Sequence, residues 1–227
     1  FSATDHDVFV VPLDSNLQPQ ALLTIDFTNA YWSRPRIAVL EAIDRVGVVA
    51  DVLPAGSTLH QVRMRQFTAG PGPIVDPVTT IDFDPTYDRL QPDVGGDVTT
   101  TPTPKFLVAY ESAFAASNAT DAAWALVLPS GVVNGHGYLT GPATFKRRAV
   151  VSKTCGKAGG GTEAWAIVAR SEYTQPAIGQ LQEWLVDRSG TVRSQGGVYS
   201  RVLTPLTDNA GSEWDVSSPT DHGNGRQ

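Results

Sequence analysis

One cysteine in 227 residues, Cys155, excludes an intrachain disulfide. The four histidines, His6, His60, His136 and His222, stand singly, and neither HExxH nor Cys-x-x-Cys occurs, so no zinc-ligand spacing is present. Apolar runs are short: the longest is Ala122 to Leu128, far below the roughly 18 residues of a membrane span. Charge is also scarce, at 18% against roughly 25% in ordinary soluble domains. Seventeen basic against 23 acidic residues leave a net charge of −6. No basic stripe is available to displace counterions from phosphates, which excludes a nucleic-acid partner and makes an anionic membrane a poor one. The nucleophile elbow G-x-S-x-G is missing. Gly135-His136-Gly137 with Gly141 misses the dinucleotide fingerprint by one residue, and Gly159-Gly160-Gly161-Thr162 lacks the lysine of a phosphate loop. The sequence therefore calls for neither cofactor nor metal.

What is present is turn chemistry and repetition. Glycine numbers 21 and proline 16, while 41% hydrophobic residues suffice for a core. Thr24-Ile25-Asp26-Phe27 with Tyr31 returns 56 residues later as Thr80-Ile81-Asp82-Phe83 with Tyr87. A fixed period of this size marks an array of similar units. The triplets Val48-Val49-Ala50, Leu107-Val108-Ala109 and Ile167-Val168-Ala169 extend it, each followed within three residues by an acid: Asp51, Glu111 and Glu172. Short β-branched runs bounded by turns read as buried strands. Hairpins are predicted at Asp14-Ser15-Asn16, Ala69 to Gly72, Pro129-Ser130-Gly131 and Asp187 to Gly190, where glycine or asparagine supplies a positive φ. A further stretch recurs at Pro35, Pro92 and Ala149, 57 residues apart each time. In the third copy of the opening motif the alignment places Ala143-Thr144-Phe145, without tyrosine.

Each unit of about 57 residues thus reads as four short strands. The array is a half unit at 5–34, full units at 35–91, 92–148 and 149–203, and a tail at 204–227 that is flexible or packed on a neighbour. Helical spacing of Ile37, Leu40, Ile43, Val46 and Ala50, and the alanine-rich Ser112–Leu126, offer a helical alternative. The repeat decides for strands, because matching positions elsewhere carry Val and Thr. The expected fold is all-β, a β-propeller of four-stranded antiparallel blades, with a β-sandwich of two sheets as the alternative.

The strands FLVAYES (106–112) and WAIVARSE (165–172), with the hairpins LPSGVV (128–133) and DRSGTV (187–192), resemble those of bacterial secreted β-propellers. The resemblance covers about 200 residues. Trp214-Asp215 is the only WD dipeptide, the D-x-D-x-D-G calcium loop is missing, and Asp187-Arg188-Ser189-Gly190-Thr191 lacks the flanks of a sialidase Asp box. What the resemblance implies is an extracellular, periplasmic or cell-surface module. A chain that opens on Phe1 is consistent with removal of a secretory signal. Three and a half units close a four-bladed ring with strands from the tail or belong to a larger ring. The second is expected, because the tail holds only one plausible strand, 213–216.

Candidate binding residues follow from the repeat. Asp51, Glu111 and Glu172 are expected on one face, near a funnel mouth, where carboxylates hold a cation or act as acid and base on a glycoside. Otherwise they cap loop amides or meet solvent. Trp32 and Arg34 depart from the repeat, since Asp88 and Leu90 stand opposite them, and Trp–Arg pairs are frequent at binding hot spots. Trp124, Trp165 and Trp184 read as core, and Asp26, Asp82, Tyr31 and Tyr87 as structural. Cys155 reads as an unpaired loop thiol, with a bond to another chain or a reactive thiol assisted by Lys153 and Lys157 as the alternatives. Asn118-Ala119-Thr120 fits the glycosylation sequon. The leading reading is a non-enzymatic binding or assembly module for a protein or glycan partner. The rivals are a carbohydrate-active hydrolase using the repeated acids and a structural subunit of a larger complex.

Overall fold

The computed structural model describes residues 6–70, 72–81, 86–99, 103–114, 119–139, 145–157, 163–174, 177–193 and 201–206, with the main chain alone at 157, 173–174, 177–179 and 201–206. Asp82, Phe83, Asn118, the glycine run 159–161 and Trp214 lie outside the described residues. The chain is all-β. A two-stranded sheet pairs β1 (Phe9–Val10) with β2 (Leu23–Thr24). The next sheet runs β3 (Tyr31–Leu40), β4 (Arg45–Leu53), β5 (Gln61–Thr68) and β6 (Thr79–Thr80) in consecutive antiparallel order. The third repeats that order with β7 (Tyr87–Gly96), β8 (Phe106–Phe114), β9 (Ala119–Val127) and β10 (Val133–Tyr138). The fourth sheet opens with β11 (Phe145–Val151), has the short β12 (Gly156–Lys157) paired to its next strand β13 (Glu163–Thr174), and continues through β14 (Ala177–Asp187). Its far edge is shared by β15 (Val192–Arg193) and β16 (Arg201–Leu206), both paired to β14. Where helical spacing competes, the main chain makes β3, a single 3-10 turn at Glu41–Ile43 and β4. Among the described residues no helix is long and apolar enough to cross a membrane.

The sheets stack in series, and the strand period of two explains how. On β4, Val46, Val48, Ala50 and Val52 point into a layer with Val8, Ile25 and Trp32, while Val49 points into the next layer with Val94, Phe106 and Val108. On β8, Phe106, Val108 and Tyr110 share that second layer, and Leu107 and Ala109 enter a third with Trp124, Trp165 and Trp184. β4 and β8 therefore carry apolar side chains on both faces, as strands of sheets covered on both sides require. Two packed sheets would have one such layer; these residues form three.

Close approach depends on two glycines at the end of β7. A Cβ on Gly95 would stand 2.1 Å from the Ser152 carbonyl oxygen, and one on Gly96 1.9 Å from that of Val39. Gly96 in turn exchanges main-chain hydrogen bonds with Lys153 and Cys155 of the next sheet, and its carbonyl accepts the Trp165 indole N–H at 3.2 Å.

Three hairpins share one turn. In Asp14–Gln18, Leu128–Val132 and Asp187–Thr191 the fourth residue has positive φ (Leu17 61°, Gly131 82°, Gly190 85°) and donates its N–H to the first carbonyl at 2.9 Å. Asp14 and Asp187 add carboxylate bonds to the turn amides.

The strand register corrects the sequence alignment in three places. The first strands start at Tyr31, Tyr87 and Phe145, four or five residues before positions 35, 92 and 149. Opposite Ile37, Val94 and Val151 stand Val48, Val108 and Ile167, so the second triplet is displaced by one residue from Leu107-Val108-Ala109. The third counterpart of Ile25 and Ile81 is Leu139: each donates its N–H back across its hairpin, to Val8, Val62 and Ala122 respectively. Six residues beyond each stands an aromatic ring, Tyr31, Tyr87 and Phe145.

Candidate binding cavity

The strands β3, β7 and β11 carry the same irregularity. In each, two residues oppose one on the partner strand: Arg34-Pro35 against Ala50, Gln91-Pro92 against Tyr110, and Arg148-Ala149 against Ala169. The first residue of each pair is left-handed, with φ 51°, 52° and 52°. None is glycine, and two precede proline, which ordinarily drives its predecessor to extended backbone. Each such conformation costs on the order of 1–2 kcal/mol. The spacing is 57 residues both times, so Arg34 corresponds to Gln91 and Arg148. Leu90 is one position out.

The three bulges wall one open cavity of about 910 Å³, lined by 34–37 from β3, 91–93 from β7, 148–150 from β11, and Lys153. Its cationic heads face solvent: the side chains of Arg34, Arg36 and Lys153 are 56%, 55% and 42% exposed, and Arg148 is exposed as well. Its carboxylates lie in the floor. Asp93 is buried and accepts the Val151 N–H at 2.9 Å and the Lys153 ammonium at 2.5 Å, with Arg36 at 3.9 Å. Among the described residues, none that lines the space is aromatic.

Asp51 and Glu111 are equivalent, and both lie within second strands, buried beneath the bulges. Asp51 accepts the Gln91 N–H of the next sheet at 3.2 Å, and bonds the Ser33 hydroxyl and the Arg34 guanidinium of its own. Glu111 accepts the Arg148 N–H of the sheet that follows. Burial pushes the Glu111 carboxyl above the usual carboxylate range, against the opposing pull of that N–H and of Arg147, Arg148 and Arg34. Glu172 is two residues out of register: opposite Arg147 stands Arg170, which pairs with Glu172 at 3.0 Å. The three acids thus do not converge at an open mouth. Two join sheets and the third pairs along its own strand.

Trp32 is 2% exposed and packs in the first core layer; its counterparts on β7 and β11, Arg89 and Lys146, are buried too. It is a core position that also walls a smaller hollow of about 500 Å³, shared with Arg34 and Pro35. Trp124, Trp165 and Trp184 are all buried in the third layer. Cys155 is buried and free; burial and the nearby Asp97 carboxylate push its thiol up to about 12, and Lys153 is engaged with Asp93 instead. This is the environment of an inert thiol, not an activated one. Among the described residues no group of three His, Cys, Asp or Glu is placed to hold a metal ion.

Sequence reasoning missed Arg36, Asp93, Arg148 and Lys153. The usable signal was the 57-residue recurrence of Pro35, Pro92 and Ala149, each following a long polar side chain. No family model matches this sequence, and no curated protein matches it.

Proposed function

We propose that this chain is a β-propeller segment acting outside the cytoplasm as a non-enzymatic binding module, its ligand held in the cavity between the three bulged strands. One observation carries the reading: Arg34, Gln91 and Arg148 all adopt left-handed backbone around a single cavity. Glycine would sit there without strain. Retaining long polar side chains at the same strained position three times is what a binding surface would require. Support for the propeller comes from sheets of like order packed in series, with both faces of the inner two covered and their first strands gathered at the cavity. The location rests on the resemblance of 106–112 and 165–172 to secreted propeller strands.

The hydrolase reading needs a pair of carboxylates free to reach a sugar. Asp51 and Glu111 instead accept main-chain amides between sheets. A panel of glycosides, assayed with the native chain and with Glu111→Gln and Glu172→Gln, decides the matter. No hydrolysis is expected. An activity lost in both variants would end the binding-module reading.

The structural-subunit reading has its own support. Phe9, Val11, Leu13, Leu22 and Phe27 are exposed around the two-stranded sheet, a concentration of apolar surface that association would cover. Mass measurement in solution separates the cases, and a monodisperse monomer counts against assembly between copies of this chain.

A further inference from the structure

We infer that the cavity takes an acidic peptide segment of a partner protein, in which carboxylates are interspersed with aliphatic side chains. The inference rests on the binding-module reading and names the class of ligand. Its first support is charge. The whole chain carries −6, yet the solvent-facing charges of the cavity are Arg34, Arg36, Arg148 and Lys153. The carboxylates beneath them, Asp51, Glu111 and Asp93, are buried and each accepts a main-chain N–H. A ligand therefore meets cations first. Arg148 makes no ion pair among the described residues, and Arg36 reaches Asp93 only at 3.9 Å, so both guanidinium groups retain donors for a bidentate carboxylate contact.

The second support is the rest of the lining. Ile37, 49% exposed, and Val150 face the same cavity, with the exposed Pro35 between Arg34 and Arg36. These surfaces suit aliphatic side chains. Single-stranded nucleic acid is held by stacking on aromatic rings, and among the described residues none that lines the cavity is aromatic. A sugar ring would likewise find no aromatic platform. An acidic peptide needs only what is present: guanidinium and ammonium groups alternating with aliphatic patches.

The experiment is a fluorescence-anisotropy titration of the full chain with a labelled peptide of alternating Glu and Val. The same peptide with Gln for Glu and a sulfated oligosaccharide serve as the other probes. The Glu peptide is expected to bind, more weakly at high salt, and the Gln peptide not to bind. Arg36→Gln combined with Arg148→Gln is expected to weaken binding by about tenfold or more. Gln is tolerated at this left-handed position, as Gln91 shows, and matching thermal unfolding of variant and native chain verifies the fold. Absence of binding by the Glu peptide overturns the inference, as does equal binding of the Gln peptide or an unchanged affinity in the double variant. Binding of the sulfated sugar alone would reject the acidic peptide while leaving a binding module. A glycosidase activity dependent on Glu111 and Glu172, with no probe bound, would remove both.

Discussion

The Glu111 carboxylate of one sheet accepts the main-chain N–H of Arg148, the left-handed residue that opens the bulge of the next. Asp51 does the same for Gln91 at 3.2 Å. A bulge removes an amide from its strand ladder, and a buried amide without a partner is costly. The carboxylate supplies that partner from the neighbouring sheet. The same bond therefore satisfies the irregularity and fixes the distance between two sheets. This is why Asp51 and Glu111 occur beside the repeated bulges.

Removing the acceptor should separate the two roles of Glu111. Glu111→Ala strands the Arg148 N–H and is expected to lower stability by about 1–3 kcal/mol in urea unfolding. Glu111→Gln keeps an acceptor oxygen without charge. Because the native carboxyl titrates above its unfolded value, its contribution is greatest at low pH and declines as pH rises through the folded pKa. The Gln variant should thus gain on the native chain as pH rises, and a constant difference across pH would contradict the buried setting of Glu111.

Gly95→Ala and Gly96→Ala place a Cβ against backbone carbonyl oxygens at 2.1 and 1.9 Å, where no side chain can yield. Sheet separation must change, and a loss of about 3 kcal/mol or more, clearly above that of a strained turn position, is expected. Gly56→Ala meets open space at φ 75° and should cost only the backbone strain, on the order of 1–2 kcal/mol. Thermal unfolding of the three variants orders them. Equal losses would mean that the close approach contributes nothing.

Asp187 organises its turn through Ser189 N–H, Ser189 hydroxyl and Thr191 N–H, and pairs with Arg193 at 2.5 Å. Burial raises its pKa, but these bonds and Arg193 outweigh it, and the carboxyl lies below its ordinary value. A depressed pKa stabilises above the unfolded value, and that stability is lost as pH falls through the folded one. Asp187→Ala is expected to cost about 1–2 kcal/mol at neutral pH, with the penalty shrinking in acid. Denaturation at both pH values checks the slope.

The Cys155 thiol should resist alkylation in the native chain even at mildly alkaline pH, since its pKa is pushed up to about 12 and it is buried. It should react at once in denaturant. Rapid native labelling would place the thiol at the surface and contradict the third core layer.

Much of the scaffold was legible. Strands at Val48, Val108 and Val168, the turns ending at Gly131 and Gly190, and the buried Trp124, Trp165 and Trp184 follow from local pattern and turn chemistry. The errors were ones of register. Leu107-Val108-Ala109 looks like Val48-Val49-Ala50, yet the register makes Val108 the counterpart of Val48, and one residue of displacement moves every side chain to the opposite face. The acids illustrate the consequence. Asp51 and Glu111 coincide, whereas Glu172 yields its place to Arg170, which no apolar pattern could have distinguished.

The sequence by itself determined an array of antiparallel strand units and where most of them turn, because a 57-residue recurrence, period-two burial and positive-φ turn residues are local properties of the chain. The tertiary structure alone decided what the polar repeats do. Arg34, Gln91 and Arg148 are far apart along the chain and share one cavity only because three bulged strands lie side by side. Asp51 and Glu111 became sheet-to-sheet acceptors only because the neighbouring bulge turns an amide toward each of them. Packing geometry, which no residue carries alone, made the difference between an open acid site and a cationic one.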